Sequence, residues 1–164
     1  MKAKNLVVAF IVLMIAWLLL NWTLDPINLI IGASLSLFLS IVFCSKCHVF
    51  DEINLTPKAF VYTFIYLIVF LVDLVKANID VTRRVISPSL PIKPGIVKVK
   101  TTLKSKMARL ILADSITLTP GTFTLHVEGD YFYIHWIDAN VDDVEQASEK
   151  LVRKFEKYLE VLYG

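Results

Sequence analysis

Asp73, Lys76, Asp80 and Arg84 follow one another at spacings of three, four and four residues. On a helix that spacing places all four on one face, where opposite charges alternate as ion pairs. Acids and bases inside a membrane span can relay protons or sodium ions. At the end of a span the same groups instead form a ladder whose long side chains reach back to the lipid headgroups. These four stand at the end of an apolar run and not in its middle, which favours the interfacial ladder over the ion path. His126, Tyr133 and His135 fall on two neighbouring strands and invite a metal or acid–base role. Strand pairing sets His126 opposite Tyr133 and leaves His135 a diagonal neighbour, about 7–8 Å away. Spacing fixes neither a third ligand nor a nucleophile. C-S-K-C-H, from Cys44 to His48, has the spelling of a haem-attachment or redox motif. It sits where an apolar helix ends, with no second ligand pair elsewhere. No metal, no cofactor and no catalytic residue is assigned, and phosphate-loop, dinucleotide, triad and zinc signatures are missing. The sequence describes a non-catalytic chain.

The elements that carry these residues divide sharply. Of 164 residues, 56% are hydrophobic and 20% charged, but from Asn5 to Val72 the only charges are Asp25, Lys46, Asp51, Glu52 and Lys58. Apolar runs this long belong to membrane spans, since they have no polar face to show water. Spans are expected at about 6–20, 27–44 and 58–80, the third about 34 Å long at 1.5 Å per residue. No small-x-small cleavage site follows the first run, so it reads as a retained span and not a signal peptide. Trp17 and Trp22 suit an aromatic belt at the membrane surface. In the second run Gly32 and Ser36 are the expected packing positions, because small residues let helix backbones approach.

Between Val81 and Ala113 eight basic residues occur with no acid. Arg83, Arg84, Lys93, Lys98 and Lys100 form the expected membrane-surface patch, marking the cytoplasmic side and facing anionic lipid. The stretch abuts a span and lacks interleaved aromatics, so no nucleic-acid partner is expected. Lys2 and Lys4 also argue for the inside, and three spans cannot satisfy both signals. The larger cluster prevails, giving three spans with the N-terminus outside; the other solution is that one of the first two runs fails to cross.

Ser87 to Gly95, S-P-S-L-P-I-K-P-G, admits no regular helix, because proline lacks the backbone N–H and restricts its predecessor. It is predicted to be a hinge. Ile96–Thr102 alternates as a half-buried strand, and Lys104–Ala113 has the periodicity of a short amphipathic helix. T-F-T-L-H-V and Y-F-Y-I-H-W-I flank Glu128-Gly129-Asp130 as a hairpin. Phe123, Leu125 and Val127 are expected on its core face with Phe132, Ile134 and Trp136. Thr124, His126, Tyr131, Tyr133 and His135 are expected on the opposite face. Asn140 is expected to cap a final helix whose first turn holds Asp142 and Asp143 and whose stripe runs Val141, Val144, Ala147, Leu151, Phe155, Tyr158 and Leu162. The fold class is therefore a membrane region of three N-terminal apolar helices (1–86), a Pro-rich hinge (87–95) and a small cytoplasmic α+β domain of order β-α-β-β-α (96–164). About 70 residues is near the lower limit for an independent core, so this domain is expected to lean on the membrane or a partner.

S-P-S-L-P-I-K-P-G-I-V-K-V-K-T (Ser87 to Thr101), A-D-S-I-T-L-T-P-G-T (Ala113 to Thr122) and Y-I-H-W-I (Tyr133 to Ile137) resemble the E subunit of Mrp-type (Mnh, Pha) sodium/proton antiporters. The order of these blocks and the preceding apolar runs fit as well, so the likeness covers essentially the whole chain. Asp114 departs from it, standing where asparagine is expected. The resemblance implies an accessory subunit in the plasma membrane of a prokaryote, partnered by other Mrp-type membrane subunits that carry most of the ion movement. It also implies a setting in archaeal membrane-bound hydrogenases or sulfur-reducing complexes, beside nickel- or iron–sulfur-bearing subunits. Three functions follow: a structural accessory subunit, a direct ion-path element using Asp73, Lys76 and Asp80, or an autonomous membrane-anchored domain using the histidine face.

Overall fold

The computed structural model describes residues 3–44, 51–141 and 143–164. Lys2, Lys46, Cys47, His48 and Asp142 lie outside the described residues. The chain forms two compact units, Met1–Ile53 and Asn54–Gly164.

The first unit is a pair of packed helices, α1 (Ala3–Asn21) and α2 (Pro26–Cys44). Both are apolar all round, and most of their large side chains are exposed. That is what lipid-facing helices require. The intervening turn needs a left-handed residue, Trp22 (φ 52°). Asp25 Oδ2 then accepts from the Ile27 N–H at 3.2 Å to start α2.

The second unit is built on α3 (Pro57–Ile86), which begins at the Thr56 cap, whose hydroxyl accepts from Ala59 N–H at 3.1 Å. After it come β1 (Gly95–Lys100), α4 (Lys106–Leu118), β2 (Thr122–Glu128) and β3 (Tyr131–Trp136). A helix follows as α5 (Val144–Ser148), a π turn (Glu149–Arg153) and α6 (Lys154–Tyr163). All three strands are antiparallel, in the order β1-β3-β2. Three apolar helices followed by a small sheet-containing layer is the class expected from sequence. Helix α4 runs five residues past the expected Ala113.

One core unites α3 with the sheet and its helices. Tyr66 and Ala59 of α3 are buried with Val97, Val99, Leu112, Ile116, Phe132, Ile134, Phe155 and Leu159. The Tyr66 hydroxyl is hydrogen-bonded to Ser115 Oγ. Its ring lies edge-on to Phe155, centroids 6.1 Å apart. The Pro-rich stretch is tied back onto this unit: Lys93 N–H donates to Ile137 O and Ala139 N–H to Lys93 O, both at 2.9 Å.

Two expectations need correction. Phe132 and Ile134 are fully buried, but Phe123 (51% exposed), Leu125 (48%) and Val127 (42%) are not. A bulge between Thr124 and His126 breaks the alternation, so Thr124 pairs with buried Ile134 while Phe123 pairs with His135. One inserted residue moves the side chains before it, Phe123 among them, to the other face, whereas Val127 keeps its place opposite Phe132 on the edge strand β2. The second correction is the cap. Asp143, not Asn140, starts the last helix, its Oδ1 accepting from Gln146 N–H at 2.8 Å.

Candidate functional site

Two charges of α3, Asp73 and Arg84, are bonded to other elements of the second unit. Asp73 is held by Lys154 of α6, Nζ to Oδ2 2.6 Å, and not by its own neighbour Lys76. Arg84 does pair within the helix, with Asp80 Oδ2 at 2.7 Å, but it also donates to Asp138 Oδ2 at 2.8 Å and Pro91 O at 2.7 Å. Its side chain is only 19% exposed. Asp73, Lys76, Asp80 and Lys154, together with Ala77, Lys150, Trp136 and Ile137, line a cleft between α3 and the rest of the unit. Asp73 and Arg84 thus tie α3 to the layer beside it, with Asp80 steadying Arg84 from within the helix.

At the floor of that cleft lies T-P-G-T. Gly121 adopts φ +90°, a region that costs a residue with a Cβ, and a Cβ there would stand 2.9 Å from Ile137 Cδ1. Thr122 Oγ1 donates to Ile116 O at 2.6 Å and Thr119 O at 2.8 Å, closing the end of α4. Ile137 N–H donates to Gly121 O at 2.9 Å. The motif is a joint where α4, β2, the chain after β3 and, through Val81, α3 all meet.

Glu156 escaped the sequence reading. The π turn widens the helix by one residue, so both Leu151 and Val152 face inward and Glu156 follows them into the core. Its Oε1 accepts from Thr101 Oγ1 at 2.6 Å and Thr102 N–H at 2.5 Å. Its Oε2 accepts from Arg153 Nη1, also at 2.5 Å. Burial pushes its pKa up, but these donors outweigh burial and hold the carboxyl below its ordinary range. Arg153 is raised in turn, chiefly by its bond to Glu156. The signal was there: Val152, Glu156 and Leu159 stand at i, i+4 and i+7 of an apolar stripe.

The other expected residues are scattered. Lys98 and Lys100 are exposed on the sheet face no helix covers, Lys98 lying 4.0 Å from the Tyr131 ring centroid. Arg83 is exposed on α3, and Arg84 is turned inward. His126 pairs with Tyr133, ring centroids 6.0 Å apart, while His135 pairs with Phe123 and Ile96. Among the described residues no three of His, Cys, Asp and Glu stand together as a metal ion requires. In the first unit Gly32 lies under the Trp17 indole, where a Cβ would stand 2.8 Å from Cγ. Trp17 Nε1 donates to Asn28 O at 3.2 Å. Ser36 is buried, and its carbonyl accepts from Ser40 Oγ at 2.6 Å.

Residues 10–161 match the family MNHE, described as Na+/H+ ion antiporter subunit. Na(+)/H(+) antiporter subunit E1 of Staphylococcus haemolyticus (strain JCSC1435) is 34% identical over 162 residues, covering 92% of this chain and 93% of that protein. The subunit E1 of Staphylococcus saprophyticus is 32% identical over 156 residues, covering 88% and 92%. Among solved structures, a chain of the membrane-bound sulfane sulfur reductase (MBS), an archaeal respiratory membrane complex, is 45% identical. It superposes with a TM-score of 0.85 over 96% of this chain and 98% of its own. From the helix pair through the T-P-G-T joint to α6, this chain belongs to the family of Na+/H+ antiporter E subunits.

Proposed function

We propose that the chain is a non-catalytic accessory subunit of an Mrp-type sodium/proton antiporter module, set within a redox-driven respiratory complex of the sulfur-reductase or hydrogenase type. The observation that carries the setting is the near-complete superposition on the sulfur reductase chain at 45% identity, against 34% for the antiporter subunit. What supports an accessory role is the use of the charges: Asp73 and Arg84 are engaged in ties within the second unit. Helices α1 and α2 anchor the chain among partner helices, and the α+β layer after the Pro-rich stretch braces a neighbour on the cytoplasmic side. The basic stretch from Arg83 supports that sidedness.

The test is gentle detergent extraction of native membranes, a tag after Gly164 and identification of what co-purifies. Recovery with antiporter-like subunits together with nickel- or iron–sulfur-bearing subunits is the expected result. Recovery with antiporter-like subunits alone would assign the chain to a self-standing exchanger. A chain that comes out alone would overturn the subunit reading.

A further inference from the structure

Among the described residues three helices are long and apolar enough to cross a membrane, but α3 differs from the other two. Its inner face is covered for its whole length. At one end Asn54 N–H donates to Leu162 O at 3.0 Å; in the middle Tyr66 meets Ser115 and Phe155; at the far end Arg84 meets Asp138. A helix so covered cannot cross hydrocarbon without its cover. Helix α6, antiparallel beside it, would carry exposed Lys157 and Glu160 into lipid, where unpaired charge is costly. The three-stranded sheet would take two open edges with it, which lipid does not tolerate.

The outer face of α3 is nonetheless unlike a surface in water. Phe60, Phe64, Ile68, Leu71, Val75 and Ile79 recur at three- and four-residue spacing, all exposed. Val61, Leu67 and Val72 widen the stripe. From Phe60 to Ile79 it is about 28 Å long. Exposed Lys58, Lys76 and Arg83 stand along its ends and flank. Only 12 residues separate the end of α2 from the start of α3, so the helix is held close to the bilayer that α1 and α2 enter.

We propose that α3 does not cross the membrane but lies in its surface, the stripe sunk into the headgroup–acyl boundary and the flanking cations at anionic headgroups. Both ends of α3 are then on the side of the α+β layer. Two crossings remain, and Lys4 and the basic stretch from Arg83 fall on the same side, which removes the conflict in the positive-inside rule. This holds whichever complex contains the chain.

The test uses the full chain with Cys44→Ser and Cys47→Ser, reconstituted in liposomes of phosphatidylcholine and phosphatidylglycerol. Phe64→Cys, Ile68→Cys, Leu71→Cys and Val75→Cys are introduced one at a time and labelled with a nitroxide. Collision with oxygen and with a water-soluble nickel chelate then reports depth. The expected result is one common depth, about 5–10 Å below the headgroups. A depth that changes by about 16 Å from Phe64 to Val75 would mean a crossing helix and overturn the proposal. Labels reached by neither reagent would mean a protein covers the stripe, which also overturns it. In native membranes, Leu55→Cys and Ser89→Cys should both react with an impermeant maleimide from the same side. Reaction from opposite sides would overturn it independently of the nitroxide variants.

Discussion

Glu156 closes a gap that backbone geometry leaves open. Beyond β1 the chain turns away from the ladder, and the Thr102 N–H finds its acceptor in this carboxylate. Glu156→Gln keeps the shape and removes the charge, weakening three charge-assisted bonds at a buried site. The expected cost is about 1.5–3 kcal/mol, read as a lower Tm of the full chain in detergent. The effect is pH-dependent. The folded carboxyl titrates below the unfolded one, so its contribution is complete above the ordinary glutamate pKa of about 4.3 and is lost as pH falls through the depressed value. The Tm gap between wild type and Glu156→Gln should therefore be full at pH 7 and narrow as pH falls below the ordinary glutamate range. Gly121→Ala tests the joint: a Cβ at φ +90°, against Ile137, should cost roughly 1–3 kcal/mol in the same assay. Gly121 was legible, because T-P-G-T announces a turn. Glu156 was harder, since a glutamate in a helix is ordinarily a surface residue and only its place in the stripe betrays it.

At the scale of elements, packing position and not residue type decides behaviour. Gly32 matters because the Trp17 ring occupies the space its side chain would need. Gly32→Leu should drive α1 from α2, an overpacking cost of about 1–3 kcal/mol seen as lost yield of assembled chain, whereas Leu35→Ala on the exposed face should assemble normally. Element existence and order could be read from periodicity, since each helix and strand buries one face or, in α1 and α2, is apolar all round. Register could not. The bulge near Leu125 and the π turn at Glu149–Arg153 each add one residue to a repeat, and a two-state pattern of apolar and polar residues does not encode an extra residue. Helix α3 was legible as an apolar helix. Its partners were not: only the fold reveals that its inner face shares a core with α4 and α6, because the pairing of Asp73 with Lys154 spans 81 positions of sequence.

For the molecule as a whole, Asp73 and Arg84 of α3 bind one layer to another. If ion movement belongs to other subunits, Asp73→Asn should leave sodium-linked transport by the assembled complex unchanged. Its stability should fall by about 1–2 kcal/mol through loss of the Lys154 tie. Reduced transport with assembly intact would instead place Asp73 on the ion path. The cover over α3 also has a consequence in time. Helix α6 is made after α3, about 70 residues later at roughly 5–20 residues per second, so α3 waits several seconds on the ribosome without its cover. Through that wait it is presented to the membrane-insertion machinery as an apolar segment interrupted by Asp73, Lys76 and Asp80. Asp73, which later ties α3 to α6, is among the residues that make insertion costly. That one charge thus serves the nascent chain as a brake and the finished protein as a fastening.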